Sequence, residues 1–365
     1  MKNKKILFSA YSLDVGGIET ALVSLVNYLI KYYDITLVLE KKQGVFLNSI
    51  DRKVKIIEYT PSYFKNKFIS KFINLFKRLK FNIRYKNKFD FACSYATYCK
   101  MASMVARTAS KNTALWVHNN YYYFFDRNDY KYKNFFDSIK SHKFRNILFV
   151  SDEARMQYAE KYGVENEKLI TCNNLVDYKK ILSLSEEKIS IKENKDIVTF
   201  INISRHDEHQ KKLTRLIESA KLLDKDNIDF RIIFVGDGKE TDFYKKMVND
   251  YKLNVKVIFV GKTTNPYPYL KISDCVVLTS DYEGYPVTYL EAKVMNKPII
   301  TTDVSDSISE INGKYGFVTD KNIENIYNAM KNFIVNKFQI AESFNPENYN
   351  REIIKKIEDI INERK

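Results

Sequence analysis

Short runs of β-branched and aromatic residues alternate with amphipathic stretches from one end of the chain to the other. In the first half the runs read KILFSA, DITLVLE, VKIIEY, DFACSY, TALWVH, NILFV and KLITCN. In the second half they read DIVTFINIS, FRIIFVG, VKVIFVG, DCVVLTS and KPIITTDV. Each is short and almost continuously apolar, the pattern of a strand covered on both faces. Between them, apolar residues recur every three or four positions and predict helices over 18–31, 213–224 and 289–296. Strands and helices in strict alternation predict an α/β fold with parallel, doubly wound sheets.

At 365 residues the chain has the length of two domains. The polar stretch SLSEEKISIKENKD, residues 183–196, lacks a strand pattern and reads as the linker. It leaves a Rossmann-like first domain over 1–182 and a second over 197–345. Residues 346–365 read as a terminal helix, free to cross back to the first domain, with Ile353, Ile354, Ile357, Ile360 and Ile361 on one face. No run approaches the roughly 20 apolar residues that span a bilayer. The opening MKNKKILFSAY has the basic residues of a signal peptide, but its apolar run is short and Asp14 and glycines follow, so it reads as the first strand. The four cysteines, Cys93, Cys99, Cys172 and Cys275, show no CxxC spacing and imply free, buried thiols in a reducing cytoplasm.

The net charge of +15 is unevenly distributed. Residues 1–180 hold 32 Lys and Arg against 16 Asp and Glu, whereas 181–365 hold 28 against 29. Codon bias explains the total but not this asymmetry, which points to an anionic surface met by the first half. Residues 61–89 carry nine Lys and Arg and no acid. Phe64, Phe68, Ile69, Phe72, Ile73, Phe76 and Leu79 recur there at helical spacing. A basic amphipathic helix of this kind suits an anionic membrane surface; the alternative is a helix packed on its own sheet with a solvated lysine face. The aromatics of NNYYYFFDRNDYKYKNFF, residues 119–136, also suit an interface. Nucleic-acid binding has the charge in its favour but no recognition motif, and is not expected.

Four turns between strand and helix carry the candidate chemistry. Asp14-Val15-Gly16-Gly17-Ile18-Glu19 follows the first strand; paired glycines there admit a phosphate to a helix start, or are turn geometry alone. Ser204 to Lys212 places Arg205 and Lys211 beside a helix, where two cations suit a diphosphate, or form a solvated basic loop. Val235-Gly236-Asp237-Gly238 is a tight turn with an anion or ribose role, or a purely structural one. In Ser280 to Ala292, Gly284 permits close approach and Pro286 suits the first helical position. The Val287 and Thr288 amides then face an anion, with Glu283 and Glu291 able to accept sugar hydroxyls. Together these describe a site for a nucleotide-diphosphate sugar. No HExxH, EF-hand, P-loop or DxD stretch is present, and His118, His142, His206 and His209 lack metal-site spacing. The chemistry is therefore expected to need no metal and no cofactor.

At these residues the sequence resembles glycosyltransferase family 4, over nearly its whole length and in order. The resembling segments are GGIE, NNLVD at 173–177, SRHDEHQKKLTRLIESA, FVGDG, KISDCVVLTS and EGYPVTYLEA, the last similar to the family's E-x7-E motif. The resemblance implies a GT-B fold, with two Rossmann-like domains facing a cleft that holds the donor, and transfer with retention by same-face attack. It implies that Arg205 and Lys211 hold the diphosphate, Glu283 the transferred sugar and Glu291 the ribose. Backbone at Gly16, Gly17, Gly284, Tyr285, Val287 and Thr288 would contact donor, and His118 would lie near the reacting centre. Ser204 replaces a usual glycine, Thr20 stands where a basic residue is frequent, and the Arg-to-Lys spacing is one residue longer than usual, so Lys212 competes with Lys211.

The expected activity is transfer of a hexosyl or N-acetylhexosaminyl group from a nucleotide sugar, UDP preferred to GDP, to a glycan or lipid-linked acceptor. Surface polysaccharide, capsule or cell-wall assembly is the expected setting, on the cytoplasmic face of the cell membrane. The competing readings are a nucleotide-sugar epimerase on the same fold and a non-catalytic partner subunit.

Overall fold

The computed structural model describes residues 4–164 and 167–363. It contains two parallel sheets, one in each of two compact units. Residues up to Leu175 form the first unit, joined by those from Tyr349 onward; Val176–Asn348 form the second.

The first unit's strands are β1 (Lys5–Ala10), β2 (Asp34–Leu39), β3 (Lys55–Glu58), β4 (Phe91–Ser94), β5 (Thr113–Val117), β6 (Asn146–Phe149) and β7 (Leu169–Thr171). They lie in the order β3-β2-β1-β4-β5-β6-β7, parallel throughout. Ile6 to Ala10 and Ile35 to Leu39 are buried throughout, as nearly continuous apolar runs require when helices cover both faces. The terminal helix Pro346–Asn362 buries Ile353, Ile354, Ile357, Ile360 and Ile361. Its last turn is tied to this unit by Asn112, whose Nδ2 donates to the Ile360 carbonyl at 2.9 Å.

The second unit contains β8 (Val198–Ile203), β9 (Phe230–Val235), β10 (Val257–Gly261), β11 (Cys275–Leu278), β12 (Ile299–Thr302) and β13 (Gly316–Thr319), in the order β10-β9-β8-β11-β12-β13. The hydrophobic pattern predicts five of these strands. It misses β13, which has four residues and is only half-buried, at the edge of the sheet. Leu213, Leu216, Ile217, Ala220 and Leu223 of the helix Leu213–Lys225 pack with Phe200, Ile232 and Phe234 in the core. The division between units falls before the polar stretch expected as a linker. Residues Tyr178–Leu184 form a helix that packs on the helices Tyr267–Lys271 and Val287–Val294, and so belong to the second unit.

Strand order reverses beside β1 in one sheet and beside β8 in the other. At such a switch point the loops leaving two adjacent strands turn to opposite faces and open a crevice at the carboxyl edge. The loop after β8 begins at Ser204 and the loop after β11 at Thr279, so two of the four candidate turns flank one switch point. The third turn supports them. Gly236 has φ +143, and a Cβ there would lie 1.9 Å from the Ser204 carbonyl oxygen; one on Gly238 would lie 2.1 Å from that of His206. The glycines let the loop after β9 press on the loop carrying Arg205, which is the structural reading of that turn.

Two features of the first unit differ from one another in a way the sequence does not reveal. In the 119–136 segment the aromatics mostly pack together: Tyr121, Tyr132 and Phe136 are buried, with Tyr121 stacked on Phe135 at 4.3 Å and Phe136 edge-on to Tyr158 at 5.0 Å. The segment is a small aromatic core more than an interface. The helix Lys67–Tyr85 is the opposite case. Asn66 caps it by accepting from the Phe68 amide at 2.9 Å, and Phe81 is its one buried residue. Phe68 and Ile83 are each 85% exposed and Phe72 is 62% exposed. Among the described residues no helix is long and apolar enough to cross a membrane.

Candidate functional site

The loops after β8 and β11 are stitched to each other along their length. Asp281 donates its amide to the Gln210 carbonyl at 2.8 Å, and the Thr279 hydroxyl donates to the carbonyls of Lys211 and Lys212 at 3.0 and 3.1 Å. Gln210 Nε2 donates to the Tyr282 carbonyl and to Glu283 Oε2, both at 3.2 Å. His209 Nδ1 lies 3.0 Å from the Tyr282 hydroxyl. Polar atoms that would otherwise be left unpaired near the sheet edge satisfy each other, and the two loops become one rigid piece.

The ion pair at the centre is Lys211 Nζ to Glu283 Oε1, 2.5 Å apart and largely buried. Glu283 also accepts from Ser280 Oγ at 2.6 Å. A buried carboxylate needs several donors to offset its lost hydration, and here it has three. Lys212 faces away: it takes left-handed φ at the helix start and, with Arg215, flanks Asp281 at 3.5 and 2.6 Å. Of the two candidate lysines, Lys211 is the one against Glu283. Arg205 is different again, 64% exposed and tethered by Asp207 Oδ2 at 2.9 Å and Gln210 Oε1 at 3.3 Å. It is oriented yet accessible, as a cation meant for an external anion must be.

The helix after each loop starts differently. Glu208 caps the helix Leu213–Lys225, accepting from the Thr214 amide at 3.3 Å, and is itself held by the Tyr244 hydroxyl at 2.8 Å. That start is already occupied by a carboxylate. The helix Val287–Val294 has no side-chain cap. Pro286 sits at its cap, one position earlier than its sequence preference suggests, because its backbone is still extended there, with ψ 120. The first amides of this helix are thus the ones open to an anion. Thr288 Oγ1 ties the helix to the end of β8 through the Ile203 carbonyl at 3.4 Å. Gly284 accepts from Ser305, and the Tyr285 hydroxyl reaches Glu310 Oε2 at 3.2 Å, where Lys293 also binds at 2.9 Å.

Glu291 is a second buried carboxylate in quite another environment. Burial pushes its pKa up to about 7, and a hydrogen bond from the Tyr267 hydroxyl to Oε1, at 3.2 Å, offsets part of that rise. In the first unit, the helix Gly17–Leu29 opens with Glu19 folded back over Gly16, where an added Cβ would meet Glu19 Oε2 at 2.3 Å. His118 follows β5, stacked on Trp116 at 5.7 Å and against Tyr95 at 4.3 Å, with neither ring nitrogen hydrogen-bonded. Burial pushes its pKa down to about 3, so the imidazole is neutral at physiological pH. Asn174 of the NNLVD loop reaches this cluster through the Tyr95 hydroxyl at 3.3 Å. The structure therefore gathers Arg205, Lys211, Glu283, Gly284, Tyr285, Val287 and Thr288 around one pair of loops, with Glu291 on the helix they lead into. Gly16, Gly17 and His118 belong to the other unit.

Sequence reading misses Gln210, Tyr267, Lys293 and Glu310. Gln210 adjoins the lysine pair, and its side-chain amide, able to donate and accept at once, is the signal that points to a bridging role. Tyr267 lies in NPYPY, where nothing in the pattern marks it.

Two family models match the chain: Glycosyl transferases group 1 over residues 184–357 and Glycosyltransferase Family 4 over residues 15–180. An uncharacterized glycosyltransferase of Methanocaldococcus jannaschii is 30% identical over 238 residues, 58% of this chain and 57% of that protein. The UDP-Gal:alpha-D-GlcNAc-diphosphoundecaprenol alpha-1,3-galactosyltransferase of Escherichia coli is 24% identical over 320 residues, 82% of this chain and 79% of that protein. The chain spans about half the length of the first relatives it matches. Among solved structures, Anabaena HepE in complex with UDP and glucose superposes with a TM-score of 0.75 at 16% identity, over 97% of this chain and 99% of that one.

The Glu291 environment has a measurable consequence. From its ordinary value of 4.5 up to about 7, the folded protein holds a proton that the unfolded chain has released. Stability therefore falls as pH rises through that window, leaving a penalty of roughly 3 kcal/mol above it. Glu291→Gln is expected to stabilise the protein by about 2 kcal/mol at pH 8 and by little at pH 5. Urea denaturation at the two pH values measures this; an equal effect at both contradicts the assignment.

Proposed function

Because this chain belongs to the glycosyltransferases of the group 1 and family 4 type, with the GT-B fold, we propose that it moves a hexosyl or N-acetylhexosaminyl group from a UDP-sugar to a glycan acceptor, with retention and without a metal. The observation that carries this reading is the joined pair of loops, which sets an accessible arginine, a lysine–glutamate pair and an uncapped helix start together.

In the proposed reaction the bond between the anomeric carbon and the β-phosphate oxygen breaks. The acceptor hydroxyl oxygen bonds to that carbon on the same face, and its proton passes to the departing diphosphate. Arg205, Lys211 and the amides of Val287 and Thr288 stabilise the charge that develops on the diphosphate. Glu283 accepts from hydroxyls of the transferred sugar and Glu291 from the ribose. In the first unit, neutral His118 and the Gly16–Gly17 turn are proposed to contact substrate, His118 as a hydrogen-bonding group rather than a general acid.

The acceptor is proposed to be lipid-linked, as in cell-surface polysaccharide assembly, and the protein to sit peripherally on the cytoplasmic face of the membrane. The support is the helix Lys67–Tyr85, where Phe68, Phe72, Phe76 and Ile83, with Phe64 just before it, are exposed on a segment whose charges are all basic. Water is a poor partner for so many large apolar side chains, whereas an anionic lipid surface satisfies both the stripe and the lysines. The E. coli relative is named for a diphosphoundecaprenol-linked acceptor, which accords with this reading.

Two measurements test these statements separately. In a thermal-shift panel of nucleotide sugars, one UDP-sugar is expected to stabilise the protein, with affinity falling about 10- to 100-fold in Arg205→Ala. Stabilisation that is the same in Arg205→Ala removes the proposed site. On vesicles, the protein is expected to sediment with anionic liposomes and to be released by salt, and Phe68→Ser with Phe72→Ser to weaken sedimentation at low salt. Equal sedimentation with neutral vesicles, or none with either, counts against membrane docking.

A further inference from the structure

Tyr267 has no part in the proposed reaction, yet a chain of hydrogen bonds fixes its position. It opens the short helix Tyr267–Lys271 after β10, with Pro266 at the cap. The Tyr267 amide donates to Asn265 Oδ1 at 3.2 Å. Asn265 is pinned in turn, its amide to Thr263 Oγ1 at 3.1 Å and its side chain to the Leu184 carbonyl at 2.9 Å. The phenol is buried and its hydroxyl ends 3.2 Å from Glu291 Oε1. A carboxylate this deep can turn either oxygen outward unless one of them is claimed; Tyr267 claims Oε1 and leaves the rest of the group for a ligand.

We propose that Tyr267 is a positioning residue for ribose recognition, holding Glu291 oriented so that it can accept the hydroxyl pair of a ribonucleoside diphosphate sugar. This rests on the reading of Glu291 as the ribose acceptor. Two vicinal hydroxyls are two donors, and a carboxylate accepts both, whereas a carboxylic acid spends one oxygen as a donor itself. The tyrosine hydrogen bond favours the ionised form, against the burial that disfavours it. Of the other charges nearby, Asp177, at the start of the helix Tyr178–Leu184, bears on Tyr267 and favours its protonated, donating form, and Lys293 on the Glu291 helix is paired with Glu310. The phenol thus orients Glu291 through Oε1 and offsets part of the burial that otherwise sets its protonation.

The test uses the full chain and the tightest binder from a panel of UDP- and GDP-sugars, together with the 2′-deoxyribose counterpart of that binder. Nucleotide sugars lack the terminal phosphate titration that would confuse a pH profile. Binding is measured from pH 5.5 to 8.5 for the wild type, Tyr267→Phe and Glu291→Gln. For the wild type, affinity falls as pH drops below about 7. In Tyr267→Phe the midpoint moves to higher pH, and preference for ribose over deoxyribose drops about threefold or more. In Glu291→Gln both the pH dependence and the preference are lost. A Tyr267→Phe profile and preference matching the wild type, while Glu291→Gln loses both, overturns the proposal and leaves the ribose reading intact. Wild-type preference persisting in Glu291→Gln overturns the ribose reading itself, and this proposal with it.

Discussion

Everything proposed for the second unit depends on the adjacency of β8 and β11. Their carboxyl ends release two loops at a switch point, and the contact between Lys211 and Glu283, with Gln210 bridging beside it, fixes those loops to each other. A buried ion pair of this sort contributes little net stability, because the hydration it gives up nearly cancels its attraction. Its value is geometric. With Lys211 and Glu283 holding each other, a bound sugar meets a hydroxyl acceptor and a cation whose positions need no rearrangement, which is where polar sites gain most over water.

The two carboxylates of the E-x7-E stretch are treated differently by the fold. Glu283 has a cation, an amide and a hydroxyl around it, and sits in an environment built for charge. Glu291 has burial and one phenol, and its elevated pKa is the signature of a group held short of partners. A protein selected for stability alone would place an amide or an apolar residue there. The shortage is consistent with missing hydroxyl donors that a nucleotide would bring, and Tyr267 is what keeps the carboxyl usable until they arrive.

Much of the fold is legible because buried parallel strands leave an unmistakable trace. Ile6 to Ala10 and Phe230 to Val235 are read directly as strands, and the isoleucines of the last helix name its buried face. What escapes are elements whose pattern is diluted. β13 is half-exposed at an edge, and 178–184 is too short for its periodicity to stand out from the polar stretch that follows. At the site, charged residues in the turns between strand and helix stand out, so Arg205, Lys211, Glu283 and Glu291 are legible as candidates. Gln210 and Tyr267 are not, because their roles arise from contacts across 72 and 24 residues of sequence that no local pattern encodes. The aromatic run at 119–136 misleads for the same reason: whether such rings face inward depends on Tyr158, which packs on Phe136 from elsewhere in the unit and is itself backed by Phe149.

Hydrogen–deuterium exchange with and without a bound UDP-sugar reads the donor's effect on the unsubstituted protein. A donor site at the joined loops and the uncapped helix start slows exchange in the amides of 204–212 and 283–290. Within the second unit the competing place is a cavity of about 520 Å³ lined by Asp303, Phe317, Thr319 and Asn325 beyond β12 and β13. Protection there, with the two loops exchanging as in the free protein, would contradict it.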